Sequence, residues 1–115
     1  MTVREAIAAA DLLRPNTLAD EQKARFGYEL DCDIAELQGV KQPSFVWPET
    51  DAELLMEQPH DSIYPLYLAA KIDYYNQESA MYANDMAIFN SAYDEARAWW
   101  RRHNVPVRKG NWRVM

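Results

Sequence analysis

Residues 80–103, AMYANDMAIFNSAYDEARAWWRRH, carry the clearest helical pattern in the chain. Apolar side chains recur there every three or four residues, which is the spacing of one face of an α-helix. At 1.5 Å per residue the segment would span about 36 Å, which is long for a small domain. The buried stripe that we predict for this last helix consists of Tyr82, Met86, Phe89, Tyr93, Ala96 and Trp100.

A capping box marks the first helix. Thr2 and Glu5 have the T-x-x-E spacing in which the hydroxyl and the carboxylate bind free backbone N–H groups of the first turn. Pro15 predicts that this helix ends near Leu13, because proline lacks the N–H that would continue it.

A second helix is predicted to run to about Gln38, with Gly39 as its C-terminal stop. Thr17 with Asp20 offers a weaker N-terminal cap. The face that we expect to be buried consists of Phe26, Leu30, Ile34 and Leu37.

Residues 39–59 contain three prolines and no helical period, so we predict a long irregular loop with a short helical turn at residues 51–56. A loop of this length in a small domain is usually functional. Asp61 is the predicted cap of a third helix, and Ser79 that of the last. The third helix is predicted to share one face among Ile63, Tyr67, Ala70 and Tyr74.

The composition is that of a globular helical protein. Three glycines are few for the tight turns of an all-β fold, and no apolar run approaches the ~20 residues of a membrane span. The single cysteine, Cys32, excludes an internal disulfide and fits a reducing compartment. We predict an all-α fold: a small bundle of about four helices in residues 1–104, followed by an extended basic tail in residues 105–115.

The net charge of −6 conceals an asymmetry between the two parts of the chain. Residues 1–95 hold all 18 acidic and six of the 12 basic residues, so 6 − 18 gives a net charge of −12. Residues 96–115 hold the other six basic residues and no carboxylate side chain, which gives +6. A basic end on an acidic body indicates either an anionic ligand or a neighbouring copy of the same chain.

Residues typical of catalysis or metal binding are scarce. His60 is predicted to be a loop or capping residue, and His103 lies in the last turn of a helix, where positive charge is favoured. Acidic neighbours disfavour the thiolate of Cys32, and Asp31 and Asp33 would face different directions on a helix. We therefore expect no enzymatic activity, no cofactor and no metal site.

Tryptophans and basic residues are the candidates for an interface. Trp47 in the loop and Trp112 in the tail are typical interface anchors, although each could instead cover the domain's own core. The run WWRR at residues 99–102 could stack on bases and bind phosphates, but we favour a core role for Trp100 and a helix-terminal role for the arginines. The predicted interface residues are Trp47, Arg101, Arg102, Arg108, Lys109, Trp112 and Arg113.

Three stretches, in order, resemble the head–tail connector family of tailed double-stranded DNA phages. They are LRPNTLADEQKARFGYELDCDIAEL (13–37), DAELLMEQPHDSIYPLYLAAKIDYYNQE (51–78) and YANDMAIFNSAYDEARAWWRR (82–102). The helix leading into residues 12–14 adds a weaker likeness, so the resemblance covers roughly residues 12–103. The loop at 39–50 and the tail match less well.

The resemblance implies a neck subunit that assembles as a ring beneath the portal, extends the DNA channel and presents a surface to the next neck or tail-completion protein. It implies a virion location at the portal vertex, host cytoplasm before assembly, packaged DNA that only passes through, and no membrane. The expected partners are other copies of the chain, the portal protein and the next neck protein. A closed ring needs a heterologous interface, in which two different patches meet.

Two hypotheses concern the basic C-terminal end. In the first, the tail docks on the acidic body of an adjacent subunit or on another neck protein, with Trp112 as apolar anchor and Arg108, Lys109 and Arg113 as electrostatic guides; the alternative is a fraying terminus. In the second, the chain is a small phage-encoded DNA-binding or regulatory module that uses this end. A further alternative, a small helical enzyme or enzyme inhibitor, has little catalytic chemistry to support an enzyme.

Overall fold

The structure is a computed structural model that describes residues 1–104. The predicted all-α fold class is confirmed, whereas the predicted tail, residues 105–115, lies outside the described residues. In chain order, the elements are α1 (Val3–Leu13), α2 (Asp20–Gln38), a 3-10 turn (His60–Ser62), α3 (Ile63–Tyr75) and α4 (Ser79–Asn104).

The capping box at the start of α1 forms as predicted. The Glu5 N–H donates to the Thr2 hydroxyl at 3.1 Å, and the Thr2 N–H donates to the Glu5 carboxylate at 2.8 Å. The helix ends at Leu13, the residue predicted from the position of Pro15.

The start of α2 differs from the prediction, because Ala19 occupies the N-cap position and makes no side-chain cap bond. Thr17 lies too early in the chain to cap this helix. Asn16 orders the connection instead, since its side-chain oxygen accepts the Leu18 N–H at 3.0 Å. The other end agrees with the prediction: Gly39 has a φ of 70°, the left-handed conformation that glycine adopts without steric cost, and it ends the helix.

The predicted helical turn at residues 51–56 is wrong. The Leu54 N–H donates to the Met1 carbonyl at 2.8 Å, and the Arg4 N–H donates to the Thr50 carbonyl at 3.1 Å. An isolated antiparallel bridge joins Thr2 and Glu53. Because the N-terminal residues bind the backbone of this segment, it stays extended along the start of α1.

Helix α3 lies at the centre of the molecule and packs against α1, α2 and α4. It is therefore buried on several sides, and its most enclosed side chains are Tyr64, Leu68 and Ile72. The predicted single face is wrong for Tyr74, which is 60% exposed. Asp61 does not cap α3 either; it lies in the 3-10 turn, and its carboxylate is 3.4 Å from the N-terminal ammonium group.

Helix α4 packs mainly on α3, which has half its length: 26 residues against 13. At 1.5 Å per residue the two helices span about 39 and 20 Å, so the C-terminal half of α4 extends beyond α3 and reaches the 3-10 turn. Trp100, in that half, is only half-buried and does not complete the core as predicted. Ser79 is the first residue of α4 rather than a residue before it.

The remaining predicted core residues divide into two groups. Phe26, Leu30, Ile34, Ile63 and Phe89 are buried, and Tyr67, Met86 and Tyr93 are half-buried against them. Within residues 1–104, no helix is both long enough and apolar enough to cross a membrane.

Candidate functional site

The basic end of α4 is accessible. Arg101 and Arg102 are exposed on its last turns, where positive charge offsets the partial negative charge of a helix C-terminus. Arg97, one turn earlier, is held by Asp94 at 2.7 Å and lies over the Tyr93 ring at 4.7 Å. Arg101 and Arg102, both predicted interface residues, thus lie together at this end of α4.

Trp99 lies between two histidines. Its ring centroid is 4.8 Å from those of both His60 and His103, and the His103 Nδ1 is 2.9 Å from the Trp99 carbonyl oxygen. His60 therefore joins the 3-10 turn to α4 by aromatic packing. The sequence prediction placed it in a loop or cap without this contact.

Trp47, the predicted loop anchor, is 39% exposed. It borders a shallow pocket of about 290 Å³ together with Ile7 and Ala8 of α1 and Pro48. The side chain thus lies near α1 across this pocket and is partly exposed to solvent. The other predicted anchor and the tail cations, Trp112, Arg108, Lys109 and Arg113, lie outside the described residues.

A buried carboxylate, which the sequence analysis considered only as a metal ligand, joins α2 to the loop. Asp31 Oδ1 accepts the Tyr64 hydroxyl at 2.6 Å and the Leu55 N–H at 3.0 Å, and the Met56 N–H donates to the Tyr64 oxygen at 2.9 Å. Burial raises the pKa of Asp31 although both hydrogen bonds oppose that rise. Burial and the neighbouring Asp31 also raise the pKa of the Tyr64 hydroxyl, which keeps it protonated as a donor. We call these four residues the loop cluster.

A second buried set, which we call the arginine cluster, joins α1, α3 and α4. Arg14 follows α1 directly; its Nε donates to Asp73 Oδ1 at 3.2 Å, and its Nη2 lies 2.8 and 2.7 Å from the two oxygens of Asp85. Asp73 and Asp85 are both buried, 1% and 7% exposed. The cluster thus contains two carboxylates and a single guanidinium.

The excess carboxylate changes the titration of the arginine cluster. Burial, followed by hydrogen bonding and repulsion from Asp85, raises the pKa of Asp73 to about 6, although Arg14 acts in the opposite direction. Asp73 Oδ2 has no N–H or O–H donor among residues 1–104. The pair can therefore hold one proton between them in mildly acidic solution.

Asp73 also lies at the base of an open pocket of about 490 Å³ at the turn between α3 and α4. We call it the turn pocket; its lining residues are Asp73, Tyr74, Tyr75, Gln77, Glu78, Ser79 and Tyr82. The Tyr74 ring packs against Tyr75 at 5.6 Å and against Tyr82 at 5.5 Å between centroids. Exposed aromatic rings beside two carboxylates are suited to an organic cation.

Lys23 is the buried cation of the α1–α2 connection. Its ammonium group is 2.8 Å from the Asp11 carboxylate and 3.2 Å from that of Asp20, and it donates to the Asn16 side-chain oxygen at 3.2 Å. With these three partners the charge is well compensated, so this set has a structural role in holding α1 against the start of α2.

The residues considered for reactive chemistry are separated. Cys32 is half-buried, and burial, then the nearby Asp31 and Asp33 carboxylates, raise the pKa of its thiol. Asp31 is buried against Tyr64, whereas Asp33 is exposed, so the two do not converge. Within residues 1–104, no group of three or more His, Cys, Asp or Glu side chains could hold a metal ion.

Sequence reasoning missed both buried clusters and the turn pocket. One signal was present: Asp73 interrupts the largely apolar run of α3, and a carboxylate in a buried helix needs a partner. The partner could not be identified from spacing, since Arg14 is 59 residues away.

Comparisons with protein-family models, curated proteins and solved structures gave no match to this chain.

Proposed function

We propose that this chain is a non-enzymatic head–tail connector subunit of a tailed phage. It joins a ring of its own copies beneath the portal, extends the DNA channel and presents a surface to the next neck or tail-completion protein. The observation that carries the proposal is the order and spacing of the three stretches at 13–37, 51–78 and 82–102 that resemble this family.

The arrangement of these stretches in the fold supports the proposal. The most characteristic one, residues 51–78, supplies the end of the loop, the 3-10 turn and α3, which is the helix that contacts the other three. The stretches at 13–37 and 82–102 supply α2 and most of α4. The resembling residues thus form one connected helical unit rather than isolated surface segments.

A ring also requires two different surfaces on each subunit. Helix α4 separates two such surfaces along its length: the turn pocket with its carboxylates at the N-terminal end, and exposed Arg101 and Arg102 at the C-terminal end. The exposed face of α4 also presents Met81 and Ile88, 40% and 47% exposed. Opposite charges at the two ends favour a head-to-tail orientation of neighbouring copies.

The alternative is a DNA-binding module. The exposure of Arg101 and Arg102 beside the half-buried Trp99 and Trp100 favours it. Phosphate contacts release counterions, so this function requires binding to duplex DNA that weakens steeply between about 50 and 200 mM salt. A connector subunit that surrounds passing DNA needs no such affinity.

The test of the proposal is the composition of purified particles. If the chain is a connector, mass spectrometry of mature particles from the phage that encodes it should detect the chain in a fixed ratio to the portal protein. Free chain should show no strongly salt-dependent DNA binding. Absence of the chain from mature particles would overturn the proposal, and tight, salt-sensitive DNA binding would favour the alternative.

A further inference from the structure

The turn pocket has the chemistry of a cation site. Tyr74 and Tyr75 are 60% and 52% exposed. Tyr74 packs against Tyr75 and Tyr82, and Tyr75 also packs against Phe26, so a ligand would contact the parts of these two side chains that remain exposed. Asp73 is buried at the base with Oδ2 lacking a donor among the described residues, and the Glu78 side chain is exposed at the edge. No basic residue belongs to the described lining. A guanidinium or ammonium group would gain cation–π contacts with the tyrosine rings and an ion pair with the exposed Glu78 carboxylate, close to the buried Asp73.

The negative charge of the turn pocket comes from its side chains and not from the helix ends. The C-terminus of α3 and the N-terminus of α4 meet at this turn, so their opposite partial charges offset each other. Lys71, two residues before Asp73, has its ammonium group over the rings of Phe26 and Tyr67 and so does not fill the pocket.

The chain itself carries a matching ligand in residues 105–115, VPVRKGNWRVM, which contain three cations and no acidic side chain. These residues begin at the opposite end of α4. Tyr82 and Asn104 are 22 residues apart on one helix, which is about 33 Å at 1.5 Å per residue. Lys109 is only five residues past Asn104, a reach of at most about 18 Å for the backbone and roughly 24 Å with its side chain. Arg108 and Lys109 therefore cannot enter the turn pocket of their own chain.

We propose that the turn pocket binds Arg108 or Lys109 from a second copy of this chain. The inference rests on the proposed ring, and it names the two surfaces that meet in it. The pocket at one end of α4 receives the basic segment that follows the other end of α4 in the neighbouring copy. Such a contact is heterologous, so repetition gives a ring or a filament rather than a closed dimer.

The experiment uses the full chain with Arg108→Glu and Lys109→Glu, so that its own tail does not compete. A synthetic peptide of residues 104–115 is titrated into it while backbone amide shifts are followed by NMR. Saturable binding with the largest shifts at residues 73–82 is expected. Glu78→Arg and Tyr74→Ala should each weaken binding by about tenfold or more, and a peptide with Gln at 108 and 109 should bind at least as weakly.

Glu95→Arg is the matched control. It makes the same charge change at an exposed position of α4 about 24 Å from Ser79, and should leave peptide affinity within about twofold. Equal weakening by Glu95→Arg, shifts centred elsewhere, or no saturation at millimolar peptide would overturn the inference.

The outcome for the pocket can be separated from that for the connector. If Glu78→Arg chain enters particles normally, the connector function stands and the pocket contact is wrong. If the peptide binds the pocket but the chain is absent from particles, the contact stands and the connector function is wrong. A last outcome concerns wild-type chain whose turn pocket is occupied. If its amide shifts do not change on dilution, the contact is intramolecular, and the inference is overturned.

Discussion

The loop cluster and the arginine cluster stabilise buried carboxylates with different kinds of partner. In the loop cluster, Asp31 accepts one hydroxyl and one backbone N–H, and no cation takes part among the described contacts. In the arginine cluster, Arg14 donates one hydrogen bond to Asp73 and one to Asp85, so that Asp73 Oδ2 and Asp85 Oδ2 have no hydrogen-bond donor in the described part of the chain. The loop cluster is buried beneath the loop, whereas the arginine cluster adjoins the turn pocket through Asp73. An incompletely neutralised carboxylate at a surface pocket is the feature that distinguishes a candidate site from a structural contact.

The largest effect should follow removal of the cation. Arg14→Met leaves two buried carboxylates facing each other, and breaking a buried pair in this way costs about 3–5 kcal/mol of unfolding free energy. Urea unfolding at pH 8 measures this loss, which should be smaller at pH 5, where Asp73 takes up a proton. Arg4→Met is the control, since the Arg4–Asp51 pair is exposed and its loss should cost less than about 1 kcal/mol. Equal losses for the two variants would show that the buried arginine cluster stabilises the fold no more than an exposed ion pair does.

A smaller effect should follow removal of a single oxygen from the loop cluster. Tyr64→Phe deprives both Asp31 and the Met56 N–H of a partner, which should cost about 1–3 kcal/mol. Tyr75→Phe is the matched control, because it removes the same hydroxyl from a residue that is 52% exposed. Thermal unfolding at pH 7 compares the two. A loss at Tyr64 no larger than at Tyr75 would show that the loop cluster does not stabilise the fold.

The smallest effect is a change in pH dependence. The pKa of Asp73 is raised to about 6 in the folded protein, above the value of about 3.9 for an unfolded aspartate, so the folded state binds more protons in this window. The free energy of unfolding contributed by Asp73 therefore falls as pH rises from about 4 to 6 and is lowest above 6. Asp73→Asn removes this pH-dependent contribution. The free energy of unfolding of the variant, relative to that of wild type, should therefore increase by about 1–2 kcal/mol as the pH rises from 4.5 to 7.5. A difference that stays constant with pH would refute the raised pKa.

The sequence predicts those parts of the fold that depend on neighbouring residues. The Thr2–Glu5 box, the end of α1 before Pro15 and the stop at Gly39 all follow from local backbone chemistry. The extended segment near residue 54 does not, because its N–H groups bind the N-terminus of the chain. Tyr74 was misplaced for a similar reason: α3 is packed on several sides, so a single helical face no longer predicts burial.

In the candidate site, too, the sequence predicts local features but not those that depend on tertiary packing. The basic end of α4 was visible from composition, since acidic residues are missing after Glu95. The turn pocket was not, because it is assembled by three tyrosines and two carboxylates whose contacts depend on how α3 and α4 meet. Arg14 and Asp73 are 59 positions apart, and only tertiary packing brings them to 3.2 Å.

The proposed connector function requires this chain to form one layer of a phage neck, which cryo-electron microscopy of the neck can reveal. If the proposal is right, particles of a phage that encodes this chain should show a ring of helical subunits directly beneath the portal, into which the α1–α4 bundle fits with its long α4 resolved. Neighbouring copies in this ring should meet head to tail, with different surfaces in contact. A neck in which no layer fits the α1–α4 bundle would contradict the proposed connector function.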